Sequence, residues 1–432
     1  MGVSKNFSNL RAAAFWAKDL LAGSRVKFHY NEIESSFANN HRNQESKLKT
    51  LLKHAAETTS FYANFKSATL SDFPLVNKLQ LRNNAADFIS SAFDQSKLVK
   101  QVTSGSTGTP LAIYSDAEKR LRNNADTLFF ANKAGYKLGE RLVNLKIWST
   151  ANQKSSRLMK MQNLIPIDVL RLDDKLLEAF CKTLVANKQP THLVGYASAL
   201  ELLAKYIDKK NYSNNDLQIR SVIGISEGMT AVTKDIFQKQ LGICALSRYS
   251  NIENGIIAQQ QTNGKPTFEI NSASFIVEIF KMDEDVLAHP GELGRIVITD
   301  LYNYAMPLIR YDTGDIGALN PNNHFELETI EGRKLDLIYD AKGNLISSYI
   351  VYKNMFQYTE ILQYQFVQTG AKEYTFKINT EQPFAREQQL RAEFLKYLGD
   401  EANFSIEYVD EIPLLASGKR KKIVNTYHNK QS

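Results

Sequence analysis

The stretch that most limits the fold runs from Val143 to Tyr249, where short apolar segments alternate with longer amphipathic ones. Val143–Trp148, His192–Tyr196, Ile219–Ile225 and Cys244–Tyr249 read as strands, and residues 173–188, 197–210 and 230–241 as helices between them. This alternation predicts a largely parallel sheet, because parallel neighbours need a crossover long enough to hold a helix. Such sheets bind ligands at the carboxyl ends of their strands. Two stretches stand there: Gly224-Ile225-Ser226-Glu227-Gly228-Met229 and Tyr249-Ser250-Asn251-Ile252-Glu253-Asn254-Gly255. Each also has an ordinary structural reading. Ser226 or Thr230 can cap the following helix, and Tyr249–Gly255 can be a polar loop just past its strand.

Upstream, Thr103-Ser104-Gly105-Ser106-Thr107-Gly108 lies between two apolar runs and reads as a polar loop joining two strands. Its glycines allow close backbone approach. Its hydroxyls and N–H groups suit phosphate oxygens. The same residues also make a plain hairpin turn. Before it, residues 8–24, 44–57 and a stretch ending near Phe88 read as helices, giving a helical leader over 1–95. Residues 116–134 read as a helix after the loop.

From about 265 the pattern turns to β. Asp312 and Asp315 bracket Thr313-Gly314 and offer a carboxylate on a turn, suited to ribose hydroxyls. Beyond Arg333 the pattern is that of a small α+β domain: strands near 362–368, 372–378 and 404–409, with helices over 349–361 and 384–398. The expected fold class is therefore α/β. A large N-terminal domain over 1–332 combines α/β sheets with a β-rich subdomain, and a small α+β domain follows over 333–432. A chain of 432 residues is too long for one ordinary core, which agrees with that division.

The net charge of +7 is dispersed, which argues against a nucleic-acid partner. Cys181 and Cys244 have no zinc spacing and read as core thiols. No apolar run is long enough for a membrane span. Residues 10–22 are broken by charge and do not read as a signal peptide, and Asn6 defeats a myristoylation start at Gly2. The expectation is a cytoplasmic protein.

These pieces, in this order, resemble the adenylate-forming superfamily of acyl-CoA synthetases, luciferases and adenylation domains. The likeness runs from about Leu48 to Val424. Within the superfamily the chain is most similar to the phenylacetate–CoA ligase-like branch, above all its CapK-like members linked to capsular polysaccharide. The leader Phe73-Pro74-Leu75-Val76-Asn77-Lys78 looks like the helical start of that branch.

The resemblance implies a role for each motif. Thr103, Ser104, Gly105, Ser106, Thr107 and Gly108 match the loop that grips the ATP phosphates. Thr109 and Leu111 stand where the family often has lysines. Ser226, Glu227 and Gly228 look like the adenine-contact segment. Tyr249, Ser250 and Asn251 fall in a motif that makes Tyr249 the adenine-facing aromatic and Glu253 the Mg²⁺ carboxylate. Ile252 replaces the usual Thr. Asp315 matches the ribose ligand, with Asp312 where Arg is usual. Arg333 matches the inter-domain arginine that reaches ribose or phosphates, and Leu335 replaces the usual hinge residue. Lys419 matches the adenylation lysine, carried by a mobile C-terminal domain.

The implied reaction is ATP-dependent activation of a small-molecule carboxylic acid to an acyl- or aryl-adenylate. Transfer then goes to CoA or a carrier protein thiol, with ATP and Mg²⁺ required. Direct transfer to an amine or hydroxyl is an alternative. A nucleotide-binding scaffold without activity is another, prompted by Thr109, Leu111, Ile252, Asp312 and Leu335. The acid pocket is expected near Trp148, Tyr196 and residues 225–253.

Overall fold

A computed structural model of the chain describes residues 2–39, 44–66, 69–102, 111–148, 154–333, 338–346, 349–355, 357–358, 360–380, 382–413 and 421–427. The chain divides into two compact units. One holds nearly everything up to Ile330 and the other Glu331–Ser432.

The first unit opens with α1 (Gly2–Leu21) and α2 (Arg25–Ala38). The Asp19 carboxylate closes their corner by accepting from the N–H groups of Val26 at 3.0 Å and Lys27 at 2.9 Å. The sequence reading does not anticipate α2. Its buried face mixes Val26 and Ile33 with His29 and Ser36, so polar residues interrupt the apolar stripe. Next come α3 (Gln44–Thr58), α4 (Lys78–Asn83) and α5 (Ala85–Phe88). A capping box of Asn77 and Gln80 fixes the start of α4.

The strands β1 (Val99–Val102) and β2 (Ala112–Ser115) pair antiparallel, as expected on either side of the polar loop. After them α6 (Ala117–Lys133) is capped by Asp116, which accepts from the Lys119 N–H at 2.9 Å. The α/β region then runs β3 (Arg141–Lys146), α7 (Ser156–Met161), β4 (Leu164–Asp168), α8 (Asp174–Asn187), β5 (Thr191–Tyr196), α9 (Ala197–Lys209), α10 (Asn214–Leu217), β6 (Ile219–Ile225), α11 (Ala231–Leu241) and β7 (Leu246–Asn251). The sequence reading misses β4, whose Pro166 argues against a central strand. The structure places β4 at the sheet edge, where proline is tolerated. Ser250 and Asn251, expected in a loop just past the strand that ends at Tyr249, are the last residues of β7.

The first unit continues with β8 (Gly255–Gln260), β9 (Phe268–Ile270), β10 (Phe275–Phe280), β11 (Gly294–Asp300), β12 (Tyr311–Asn320) and β13 (Asn323–Arg333). One sheet joins them to the α/β strands in the order β10-β11-β12-β13-β9-β8-β7-β6-β5-β3-β4. The β-rich part is therefore continuous with the α/β part through β7. That strand pairs parallel with β6 and antiparallel with β8. Val143, Leu145, Leu193 and Val222 pack against Leu200, Leu203 and Ile207 of α9. Ile223 and Leu246 pack with Ala134 in a separate, smaller cluster.

The second unit holds β14 (Ile338–Tyr339), β15 (Leu345–Ile346), α12 (Tyr349–Met355), β16 (Ile361–Gln368), β17 (Glu373–Thr380), α13 (Glu387–Leu398), β18 (Asn403–Tyr408) and β19 (Ile423–Asn425). Its larger sheet runs β18-β17-β16-β19. Phe366, Phe376, Phe394 and Phe404 fill the space between that sheet and α13. The Phe394 and Phe404 rings stack at 5.6 Å. The residues after the basic run near the C-terminus, Ile423–Asn425, form β19, parallel to Phe366–Gln368.

Candidate active site

Three of the expected site residues, Tyr249, Glu253 and Asp315, converge where β7 and β12 meet the hairpin after β7. Tyr249 projects from β7, and its phenol donates to Asp315 Oδ2 at 2.7 Å. Asp315 lies in a bulge, not in a free turn. Asp312 stands opposite Val297 and Ile316 opposite Arg295, so Thr313-Gly314-Asp315 face the single residue Ile296. Gly314 sits at φ +76, which the bulge requires of it. The Thr313 hydroxyl donates to the Ile296 carbonyl at 2.9 Å and accepts from the Asp315 N–H at 3.1 Å. These bonds hold Asp315 in place.

Burial, reinforced by the charge of Asp315, pushes the Tyr249 phenol well above its ordinary pKa. It therefore stays a neutral donor. Tyr311 begins β12 and is fully buried. Its phenol donates to Glu253 Oε1 at 3.1 Å and is likewise driven up, first by burial and then by the Glu253 charge. Glu253 is buried at the bend between β7 and β8. Asn251 Oδ1 shapes that bend by accepting from the Asn254 N–H at 2.7 Å.

Lys78 is a partner that no sequence motif identified. Its ammonium lies 3.1 Å from Glu253 Oε1. The leader segment brings it there by a parallel bridge from Val76 to Tyr311, the first residue of β12. Val76 N–H donates to the Arg310 carbonyl at 3.0 Å, and Asp312 N–H donates to the Val76 carbonyl at 2.8 Å. Arg310 clamps the same segment, donating to the carbonyls of Ser71 and Phe73, each at 3.0 Å. Asn254 was missed too. It is fully buried beside Glu253, and its side-chain oxygen and nitrogen have no protein partner among the described residues. A buried amide in that state is a place where a ligand would supply the missing bonds.

Asp312, where the family has Arg, accepts from Arg295 at 3.0 Å and from the Gly314 N–H at 2.9 Å. Its carboxylate thus secures the bulge. Ser226 opens the turn after β6 with φ 71, a left-handed conformation that non-glycine residues adopt at a cost. Glu227 and Gly228 follow, and the Met229 N–H reaches Ser247 of β7 at 3.4 Å. A side chain at Gly228 would meet nothing within 4 Å, so this glycine borders open space. Arg333 ends β13, and its side chain lies outside the described set, as do Thr103, Ser104, Gly105, Ser106, Thr107, Gly108 and Lys419.

Residues 338–426 match the family model of the CapK C-terminal domain. The chain is 24% identical over 375 residues to protein CapK of Staphylococcus aureus, covering 83% of this chain and 80% of that protein. It is 28% identical over 172 residues to the phenylacetate-coenzyme A ligase of Pseudomonas putida, 39% of each. Among solved structures, 2-hydroxyisobutyryl-CoA ligase in its postadenylation complex with 2-HIB-AMP matches with a TM-score of 0.69 at 14% identity, over 91% of this chain and 92% of that one. ATP-bound MatB from Rhodopseudomonas palustris matches with a TM-score of 0.56 at 15% identity, over 79% and 69%. The chain is a CapK homologue with the fold of the adenylate-forming CoA ligases.

Proposed function

We propose that this protein activates a small carboxylic acid with ATP, forming an acyl- or aryl-adenylate, and passes the acyl group to CoA or a carrier-protein thiol. The observation that carries the reading is the convergence of Tyr249, Asp315, Tyr311 and Glu253, drawn from two distant motifs, in a chain with this fold. Asp315 presents a carboxylate fixed by the bulge, suited to ribose hydroxyls, and Tyr249 supplies the flat face for adenine.

In the first step a carboxylate oxygen attacks the α-phosphorus, and the bond to pyrophosphate breaks. Two anions must be brought together, so the protein has to hold the nucleophile in line and offset negative charge. Lys419 and Arg333 are assigned that work, with Thr103–Gly108 on the β- and γ-phosphates. Among the described residues the contacts of Glu253 fall on Oε1, and Oε2 would hold a cation. A lone carboxylate completed by phosphate oxygens is a usual Mg²⁺ site, and the ion supplies charge neutralisation when bound. In the second step a thiol sulfur attacks the acyl carbon and the bond to AMP breaks. The small domain over 333–432 is assigned the motion that withdraws Lys419 between steps.

The test is mass spectrometry of reactions holding ATP, Mg²⁺ and a panel of acids, with and without CoA. An acyl-AMP, converted to a thioester when CoA is added, supports the reading. ATP binding with no adenylate for any acid supports the scaffold instead. The alternative acceptor is an amine or hydroxyl; an adenylate that CoA leaves intact and an amino sugar consumes would establish it.

A further inference from the structure

The N-terminal hairpin exposes apolar side chains that its own packing does not use. Leu20 and Leu21 end α1 and are 69% and 90% exposed. Phe28, in the first turn of α2, is 65% exposed, and Leu10 of α1 is 63% exposed. Ala13, Ala14 and Ala17 are also exposed. Leu10, Ala14, Ala17 and Leu21 recur at the spacing of a single helix face. The inward faces are formed by other residues: Phe15, Trp16, Val26, Ile33 and Phe37 pack against Phe129 and Phe130 of α6.

The exposed charged residues between Lys18 and Phe28 are all basic. Lys18 and Lys27 are exposed, and Lys27 lies 5.0 Å over the Trp16 ring. Arg25 is half-exposed and pairs with Glu118. The single acidic residue between Lys18 and Phe28 is Asp19, and it is buried on the N–H groups of Val26 and Lys27. We propose that this face docks on an anionic lipid bilayer. The geometry has α1 lying in the headgroup plane, Leu20, Leu21 and Phe28 at the acyl boundary, and Lys18 and Lys27 on lipid phosphates. A second copy of the chain fits this face less well, because a two-fold contact would set basic residues against basic residues.

The experiment is flotation of the full chain with vesicles of phosphatidylcholine alone or mixed equally with phosphatidylglycerol. The protein floats with the mixed vesicles, binds the neutral ones about tenfold less, and is released by high salt. Leu21→Glu with Phe28→Glu lowers the bound fraction about tenfold while the urea midpoint stays unchanged, and Leu21→Trp keeps binding with a blue-shifted emission. Absence of wild-type binding, or equal binding by the charged variant, overturns the proposal. A concentration-dependent dimer abolished by the same variant also overturns it.

Discussion

The phenol of Tyr249 and the carboxylate of Asp315 meet at 2.7 Å, although 66 residues separate them in the chain. The contact links β7, the last parallel strand, to the bulge in β12. It ties the aromatic assigned to adenine to the carboxylate assigned to ribose.

That bond should be energetically coupled. Tyr249→Phe and Asp315→Asn, singly and together, form a double-mutant cycle with a coupling of about 1 kcal/mol in urea unfolding. Both single variants also weaken ATP binding. Strict additivity in unfolding would mean that the contact is not formed in solution.

Lys78 sits 3.1 Å from Glu253 and 38% of its side chain is exposed. Glu253 is buried, so removing the Lys78 ammonium leaves its carboxylate with the Tyr311 phenol and costs on the order of 1–3 kcal/mol of stability. Lys78 also supplies a cation near the proposed phosphate site, in a chain where Thr109 and Leu111 replace lysines. Lys78→Met should therefore lower adenylate formation by on the order of 10² at a temperature where the variant remains folded. A large stability loss with unchanged turnover would make Lys78 purely structural.

Asp312 receives Arg295 at 3.0 Å and the Gly314 N–H at 2.9 Å. Restoring the family's arginine by Asp312→Arg would face one guanidinium with another and free the bulge. The expected loss is about 1–3 kcal/mol of stability, read by urea unfolding, with weaker ATP binding. Asp312→Asn, which keeps the acceptor, should lose less.

Glu32 predicts acid sensitivity. Burial alone would raise its pKa from the ordinary 4.5, but the nearby His29, the ammonium of Lys47, the bond from the Tyr302 phenol and the charge of Arg122 outweigh it, and the carboxyl is held well below that value. A depressed folded pKa adds stability that is present above 4.5 and lost as pH falls below it. Glu32→Gln should be less stable than wild type at neutral pH by about 3 kcal/mol, and the gap should shrink below pH 4. A gap that does not change with pH would contradict this.

Much of this was legible in the sequence, for identifiable reasons. The strand–helix alternation announced the parallel sheet because each period is a local property. Glu253 and Asp315 were singled out because each stands in a motif, and the structure sets each against a buried tyrosine. Lys78 was not, because its role depends on the leader bridging to the start of β12 through Val76, a pairing across more than 200 residues that no local pattern encodes. The bulge at Thr313–Asp315 was read as a turn for the same reason: Gly314 suits both, and only the partner strand distinguishes them. Helix α2 was hidden because His29 and Ser36 occupy its buried face.

The most direct test of the central claim is ATP–pyrophosphate exchange dependent on added carboxylic acid, comparing the wild-type chain with Lys419→Ala. The account predicts exchange with at least one acid of a broad panel, reduced on the order of 10²–10³ in the variant while ATP still binds. Exchange absent with every acid, or undiminished in Lys419→Ala, would contradict it.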